Sequence, residues 1–327
     1  MATFFYDGDA DLEYLRDIPI GLVGYGNQGR AHAMNLRDSG LSVLVGSAPG
    51  GNARERATTD GFTAYSIPQV VAECDALAIM LPDEVMASVY TQQIEPYLKS
   101  KMTFIFAHGF VVRHKLLRFP DDADILLCAP TGPGRQLRSL YEQGDGLPAL
   151  VAVGQDGSGL GWNRVLAYAR GIGCTRAGVI KTTFEEETVT DLYCEQAVLC
   201  GGMPELIKTA FETLVDRGYQ PELAYISCLK EVKLIADLLF THGIDGMRAA
   251  ISTTAKYGSA LAGPKLVNAS TKNGLEELLT EIESGRFARS FLDDTANGSQ
   301  AIRDLTAAEK HSRIARTGRA LSERLRF

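Results

Sequence analysis

Long apolar runs are missing from this chain of 327 residues, and no stretch approaches the roughly 20 consecutive apolar residues that a membrane span needs. Blocks of lysine and arginine are missing too. With a formal net charge of −7 the chain has no general or local attraction for nucleic acid or an anionic membrane, so neither is expected as a partner. No CxxC pair occurs: Cys74, Cys128, Cys174, Cys194, Cys200 and Cys228 are scattered through a chain long enough to stand without disulfide staples. They read as reduced, mostly buried thiols. The opening residues carry Asp7, Asp9 and Asp11 and no apolar run behind a basic stretch, so a cytoplasmic location is expected rather than a secretory signal.

What is present is a globular composition, 45% hydrophobic and 22% charged, at a length that suggests two domains and small-molecule chemistry. Through about residue 182, short apolar runs rich in branched residues alternate with helical patterns. Strands are expected at 18–23, 41–45, 76–81, 103–107, 125–129, 149–153 and 177–180, with helical composition between them at 31–38 and 162–170. Beyond Thr183 the strands stop and long helical stretches follow at 186–200, 204–217, 222–240 and 274–284. The predicted fold is therefore α/β followed by all-α. A doubly wound parallel sheet occupies 1–182 and a helical domain occupies 183–327.

Gly24-Tyr25-Gly26-Asn27-Gln28-Gly29 fits GxGxxG directly after the first predicted strand and before a helix. The first glycine permits a tight turn, the second lets backbone approach a pyrophosphate, and the third lets helix and strand pack closely. In that strand-turn-helix setting the motif marks a Rossmann-like domain for NAD(P). The second strand ends at Val45-Gly46-Ser47 without the carboxylate that would accept hydrogen bonds from an NAD ribose. Ser47, Asn52, Arg54 and Arg56 follow, hydroxyl, amide and cationic groups able to hold a 2'-phosphate. NADPH is the expected cofactor, with NADH as the alternative.

The stretch Glu185 to Gln196 carries a second signal, because Asp191 and Glu195 are four residues apart and share one face of a helix. Two carboxylates so placed can converge on a hard cation such as Mg²⁺. An apolar run, Ala197-Val198-Leu199-Cys200, follows them.

Phrases spread along the chain resemble the short-form, class I ketol-acid reductoisomerases. They are the glycine loop, Leu81-Pro82-Asp83-Glu84, Ala107-His108-Gly109-Phe110, Gly132-Pro133-Gly134, Gly171-Ile172-Gly173, Thr190-Asp191-Leu192, Glu195 through Gly202, and Gly218 through Glu222. The resemblance implies a knotted helical second domain, a homodimer or larger homo-oligomer, and an enzyme of branched-chain amino acid synthesis. That reaction converts a 2-aceto-2-hydroxy acid by Mg²⁺-dependent alkyl migration followed by reduction with NADPH. It also implies Asp191, Glu195 and Glu231 as metal ligands, Ser252 with positions 227 and 231 around the substrate, and Pro82, Asp83, His108 and Gly134 beside the cofactor. His108 would be a polar group next to the nicotinamide.

The chain departs from the family pattern near the metals. Thr131 stands where a lysine precedes Gly-Pro-Gly, and Arg135 stands where a histidine follows it. Ser227 stands where the family has the first of two glutamates, leaving Glu231 alone. Thr253 and Lys256 occupy positions usually held by acids. Loss of carboxylates weakens a site for a cation that dehydrates reluctantly, so whether Mg²⁺ is bound stays open. The expected activity is NAD(P)H-dependent reduction of a small 2-oxo or 2-imino acid, with alkyl migration impaired or lost. Hydride transfer would then run beside Asp191, Glu195, His108, Thr131 and Arg135. A working ketol-acid reductoisomerase is the first alternative, and a non-catalytic nucleotide-binding paralogue is the second.

Overall fold

The computed structural model describes residues 1–325. The chain forms two compact units, Met1–Thr188 and a second that begins at Val189. The division falls inside the helix Phe184–Cys194, so the chain leaves the first unit without a linker.

The first unit is built on nine strands: β1 Phe4–Phe5, β2 Ile20–Val23, β3 Val43–Gly46, β4 Ala64–Tyr65, β5 Ala76–Ile79, β6 Thr103–Phe106, β7 Asp124–Pro130, β8 Ala149–Asp156 and β9 Val179–Lys181. Their order is β1-β9-β8-β7-β6-β5-β2-β3-β4. From β4 across to β7 every pairing is parallel. β8 then runs antiparallel to β7, and β1 antiparallel to β9. The sheet is thus mixed, where the sequence suggested a parallel one. β7 is a buried apolar run and β8 opens as a largely apolar one, Ala149-Leu150-Val151-Ala152-Val153, and such runs carry no mark of strand direction. The two strands that hydrophobic patterning does not reveal, β1 and β4, are two residues long and lie at the edges, too short to show a period.

Residues of β2 are all buried, and the helix Asn27–Asp38 that follows turns Ala31, Ala33 and Leu36 into the core. From β2 the chain builds β3 and β4 on one side, then crosses to β5, β6 and β7 on the other. The crevice at that reversal, outside the carboxyl ends of the strands, is where open α/β sheets bind their ligands. Gly24 follows β2, Asp83 lies beyond β5, and His108 follows β6.

In the second unit the described residues form helices and no strand. Gly202–Asp216, Val232–Ala250, Thr253–Leu266, Ala269–Glu283 and Arg313–Ser322 are its longer or better-anchored members. Phe211 is fully buried, and Arg313 bridges to Asp216 at 2.6 Å between the Gly202–Asp216 and Arg313–Ser322 helices. The expected helix at 222–240 is not one smooth α-helix. It begins as Pro221–Tyr225, widens into a π turn at Ile226–Lys230, and continues as Val232–Ala250, broken at Gly243 by a backbone φ of 69°. A second π turn, Glu195–Leu199, extends the Phe184–Cys194 helix.

Candidate active site

The glycine loop has the geometry that dinucleotide binding needs. Gly24 has a φ of 96°, and a Cβ on Gly29 would lie 2.0 Å from the Gly24 carbonyl oxygen, so neither position admits a side chain. Gly26 and Asn27 are exposed at the start of the helix, with backbone amides available to an anion. Tyr25 instead turns its ring into the core, where its hydroxyl donates to Asp60 Oδ2 at 2.9 Å. Burial and the neighbouring carboxylate push the phenol above its ordinary range. Gln28 donates through Nε2 to the Gly132 carbonyl at 2.9 Å, linking the loop to the Gly-Pro-Gly phrase.

Ser47 closes β3 and no acid stands there. Its hydroxyl is buried and has no hydrogen-bond partner among the described residues. An orphaned buried hydroxyl is costly unless something else satisfies it. Its place at the end of the second parallel strand is where a dinucleotide's adenosine ribose belongs. Asn52 begins the helix Asn52–Thr59, which also carries Arg54 and Arg56. Among the described residues neither arginine forms an ion pair.

His108 lies at the mouth of the crevice. Its Nδ1 is 3.2 Å from Glu187 Oε1, and its Nε2 is 4.0 Å from Asp83 Oδ2. The Gly109 N–H donates to the other Glu187 oxygen at 2.8 Å, and the Phe110 ring stacks near the imidazole with centroids 6.2 Å apart. A carboxylate on Nδ1 fixes the tautomer and the orientation of the ring. Asp83 sits in the first turn of Asp83–Val89, capped by Pro82. Sequence reading missed Glu187. It stands four residues before Asp191, just as Asp191 stands four before Glu195, and that doubled spacing was the available signal.

Thr131 follows β7 and spends both its donors on one acceptor: its N–H and its hydroxyl each donate to the Pro148 carbonyl at 2.9 Å. Arg135, in the helix Gly134–Glu142, is exposed and forms no ion pair among the described residues. In the second unit Asp191 and Glu195 are both exposed on successive turns of one helical run. Glu195 opens the π turn, and the Cys200 N–H donates five residues back to its carbonyl at 2.8 Å. Ser227 lies in the other π turn and Glu231 caps the helix after it, both exposed. Widened turns of this kind recur at functional sites. Ser252 caps Thr253–Leu266, its hydroxyl accepting the Ala255 N–H at 3.2 Å.

Residues 14–178 match the model of the acetohydroxy acid isomeroreductase NADPH-binding domain, and residues 184–326 match that of the ketol-acid reductoisomerase C-terminal domain. The chain belongs to the ketol-acid reductoisomerase family. An NADH-preferring ketol-acid reductoisomerase from an uncultured archean superposes with a TM-score of 0.95 at 38% identity, covering 99% of this chain and 100% of that one. A semialdehyde dehydrogenase NAD-binding protein from Cupriavidus necator, at 17% identity and a TM-score of 0.63, covers 82% of this chain and 99% of its own. A putative oxidoreductase from Jannaschia sp. CCS1, at 15% identity and 0.60, covers 81% and 97%. Those two share the fold. As a ketol-acid reductoisomerase family member the chain is an oxidoreductase that uses a nicotinamide cofactor on a small-molecule substrate. Among the described residues, no helix is long and apolar enough to cross a membrane.

Proposed function

We propose that this ketol-acid reductoisomerase family member reduces a small 2-oxo or 2-imino acid with NADPH and performs the Mg²⁺-dependent alkyl migration poorly or not at all. The observation that carries this reading is Thr131. It replaces a cation with a neutral hydroxyl that donates to the Pro148 carbonyl, a poor substitute for a charged group in the proton movements of isomerisation. Ser227 supports it, since it brings no charge beside Glu231.

The His108, Glu187 and Asp83 arrangement supports the reductive half, because hydride transfer needs an oriented nicotinamide and a polarised acceptor. The orphaned Ser47 hydroxyl fits the ribose end of a dinucleotide, and the absence of an acid there with Arg54 nearby favours NADPH. Asp191 and Glu195, hard and exposed oxygen donors one turn apart, fit Mg²⁺. A bound ion would supply Lewis-acid polarisation of a substrate oxygen. On this reading 1–182 is the nucleotide-binding domain, and 183–327 is a knotted catalytic and dimerisation domain working in the cytoplasm. Exposed Leu234, Leu239 and Phe240 before the break at Gly243, with exposed Ile244 just after it, support a homodimer. A monomer in sedimentation at micromolar concentration would reject that assembly.

The second reading, a working ketol-acid reductoisomerase, is favoured by the end-to-end likeness at 38% identity to such an enzyme. NADPH oxidation decides between them when measured with 2-acetolactate, with 3-hydroxy-3-methyl-2-oxobutanoate, and with other 2-oxo acids with and without ammonia. The first reading expects turnover of the ready-made oxo acids and little with 2-acetolactate. Equal rates on 2-acetolactate and its isomerisation product give the second reading first place. No turnover at all with nucleotide bound leaves a non-catalytic paralogue.

A further inference from the structure

Beside the glycine loop lies a groove of about 360 Å³ into which four guanidinium groups face: Arg30, Arg56, Arg135 and Arg138. Two of these are neutralised. Arg30 is held by both oxygens of Asp60 at 2.6 and 2.7 Å, and Arg138 is held by Asp38 at 2.7 Å and Glu142 at 2.8 Å. The other two, Arg56 and Arg135, are exposed and form no ion pair among the described residues. The groove therefore has an uncompensated positive charge on each of two elements.

The same groove is floored by Gly26 and Asn27 at the start of one helix and by Gly134 at the start of another. Two helix N-termini meeting there add aligned N–H groups and a partial positive charge. Helix geometry separates the two arginines of Asn52–Thr59: residues two apart point about 200° apart around the axis. Arg56 lines this groove, whereas Arg54 lines a separate surface depression with Gly50, Gly51 and Thr58.

We propose that Arg56 and Arg135 together clamp the pyrophosphate of the dinucleotide, a pair in which Arg135 puts a permanent cation where the family pattern has histidine. The inference rests on the reading that this chain binds a nicotinamide dinucleotide. Guanidinium is fully charged at any physiological pH and matches a phosphate with two parallel donors, so Arg135 grips an anion more firmly than a mostly neutral imidazole. The pyrophosphate is common to NADH and NADPH, so the clamp strengthens both, and a 2'-phosphate contact made from Arg54 would strengthen only one.

The test is fluorescence titration of the full-length protein with NADPH and NADH, and competition by ADP-ribose and 2'-AMP. The proteins are wild type, Arg135→Gln, Arg135→His, Arg56→Gln and Arg54→Gln, each checked by thermal melting. Arg135→Gln and Arg56→Gln are expected to weaken NADPH, NADH and ADP-ribose alike, by about tenfold each, and to leave 2'-AMP, which has no pyrophosphate, unchanged. Arg135→His should fall between wild type and Gln. Unchanged affinities in both glutamine variants, or a loss confined to NADPH and 2'-AMP, overturn the clamp while the cofactor reading stands. A wild-type protein that binds neither dinucleotide removes that reading and the clamp with it.

Discussion

Gly134 approaches Asn27 so closely that a Cβ on Gly134 would lie 2.1 Å from the Asn27 carbonyl oxygen. The contact joins the first residue of one helix to the first residue of the helix that follows the glycine loop, 107 positions away in the chain (134 − 27). Both partners at the contact are backbone, so neither can swing aside.

Gly134→Ala is therefore expected to force the two helix starts apart, with a loss of about 1–3 kcal/mol in stability from overpacking. Dinucleotide affinity should fall together with it. An alanine variant with wild-type denaturation midpoint and wild-type cofactor binding would show that the helices separate without penalty.

Arg54→Ala is expected to weaken NADPH selectively. One charge-assisted contact to phosphate contributes roughly 1.5–3 kcal/mol, so the loss should be about tenfold or more for NADPH with little change for NADH. The archaeal relative at 38% identity prefers NADH, which sharpens the comparison. Equal wild-type dissociation constants for the two cofactors reject the NADPH assignment.

Asp191 and Glu195 are expected to hold at most one Mg²⁺, weakly, because Ser227 adds no charge beside Glu231. Calorimetric titration of metal into the NADPH complex measures this. Ser227→Glu should raise the affinity. Two tight sites in the wild-type protein would mean that the missing carboxylate is compensated elsewhere.

His32 is fully buried, with Nδ1 2.9 Å from the Tyr168 hydroxyl and Nε2 without a partner among the described residues. Burial lowers its pKa from 6.5 to about 3. The folded state therefore holds the neutral ring, and the stability tied to it is complete above pH 6.5. It is lost as the pH falls from there toward 3, because only the unfolded chain takes up the proton. At pH 5 the loss from this group is about 2 kcal/mol, at about 1.4 kcal/mol per pH unit. Urea unfolding at pH 7.5 and pH 5 should show His32→Leu losing less stability between the two than wild type does. Identical pH dependence in both proteins would place the acid sensitivity elsewhere.

The turn at Gly24 to Gly29, the acid-free strand end at Ser47 and the Asp191–Glu195 spacing were all legible in the sequence. Each depends on residues a few positions apart, where backbone sterics and helical periodicity act alone. The nucleotide-binding sheet and the helical second half were legible for the same reason: hydrophobic period is a local property. What the linear order could not disclose are relations between distant positions. His108 meets Glu187 across 79 residues, and Thr131 finds the Pro148 carbonyl across 17. The direction of β8, the facing of Arg56 rather than Arg54 toward the glycine loop, and the π turns at Glu195 and Ser227 were likewise decided in three dimensions. Packing and hydrogen bonding between separate elements select these arrangements, and no local rule of side-chain spacing encodes that choice.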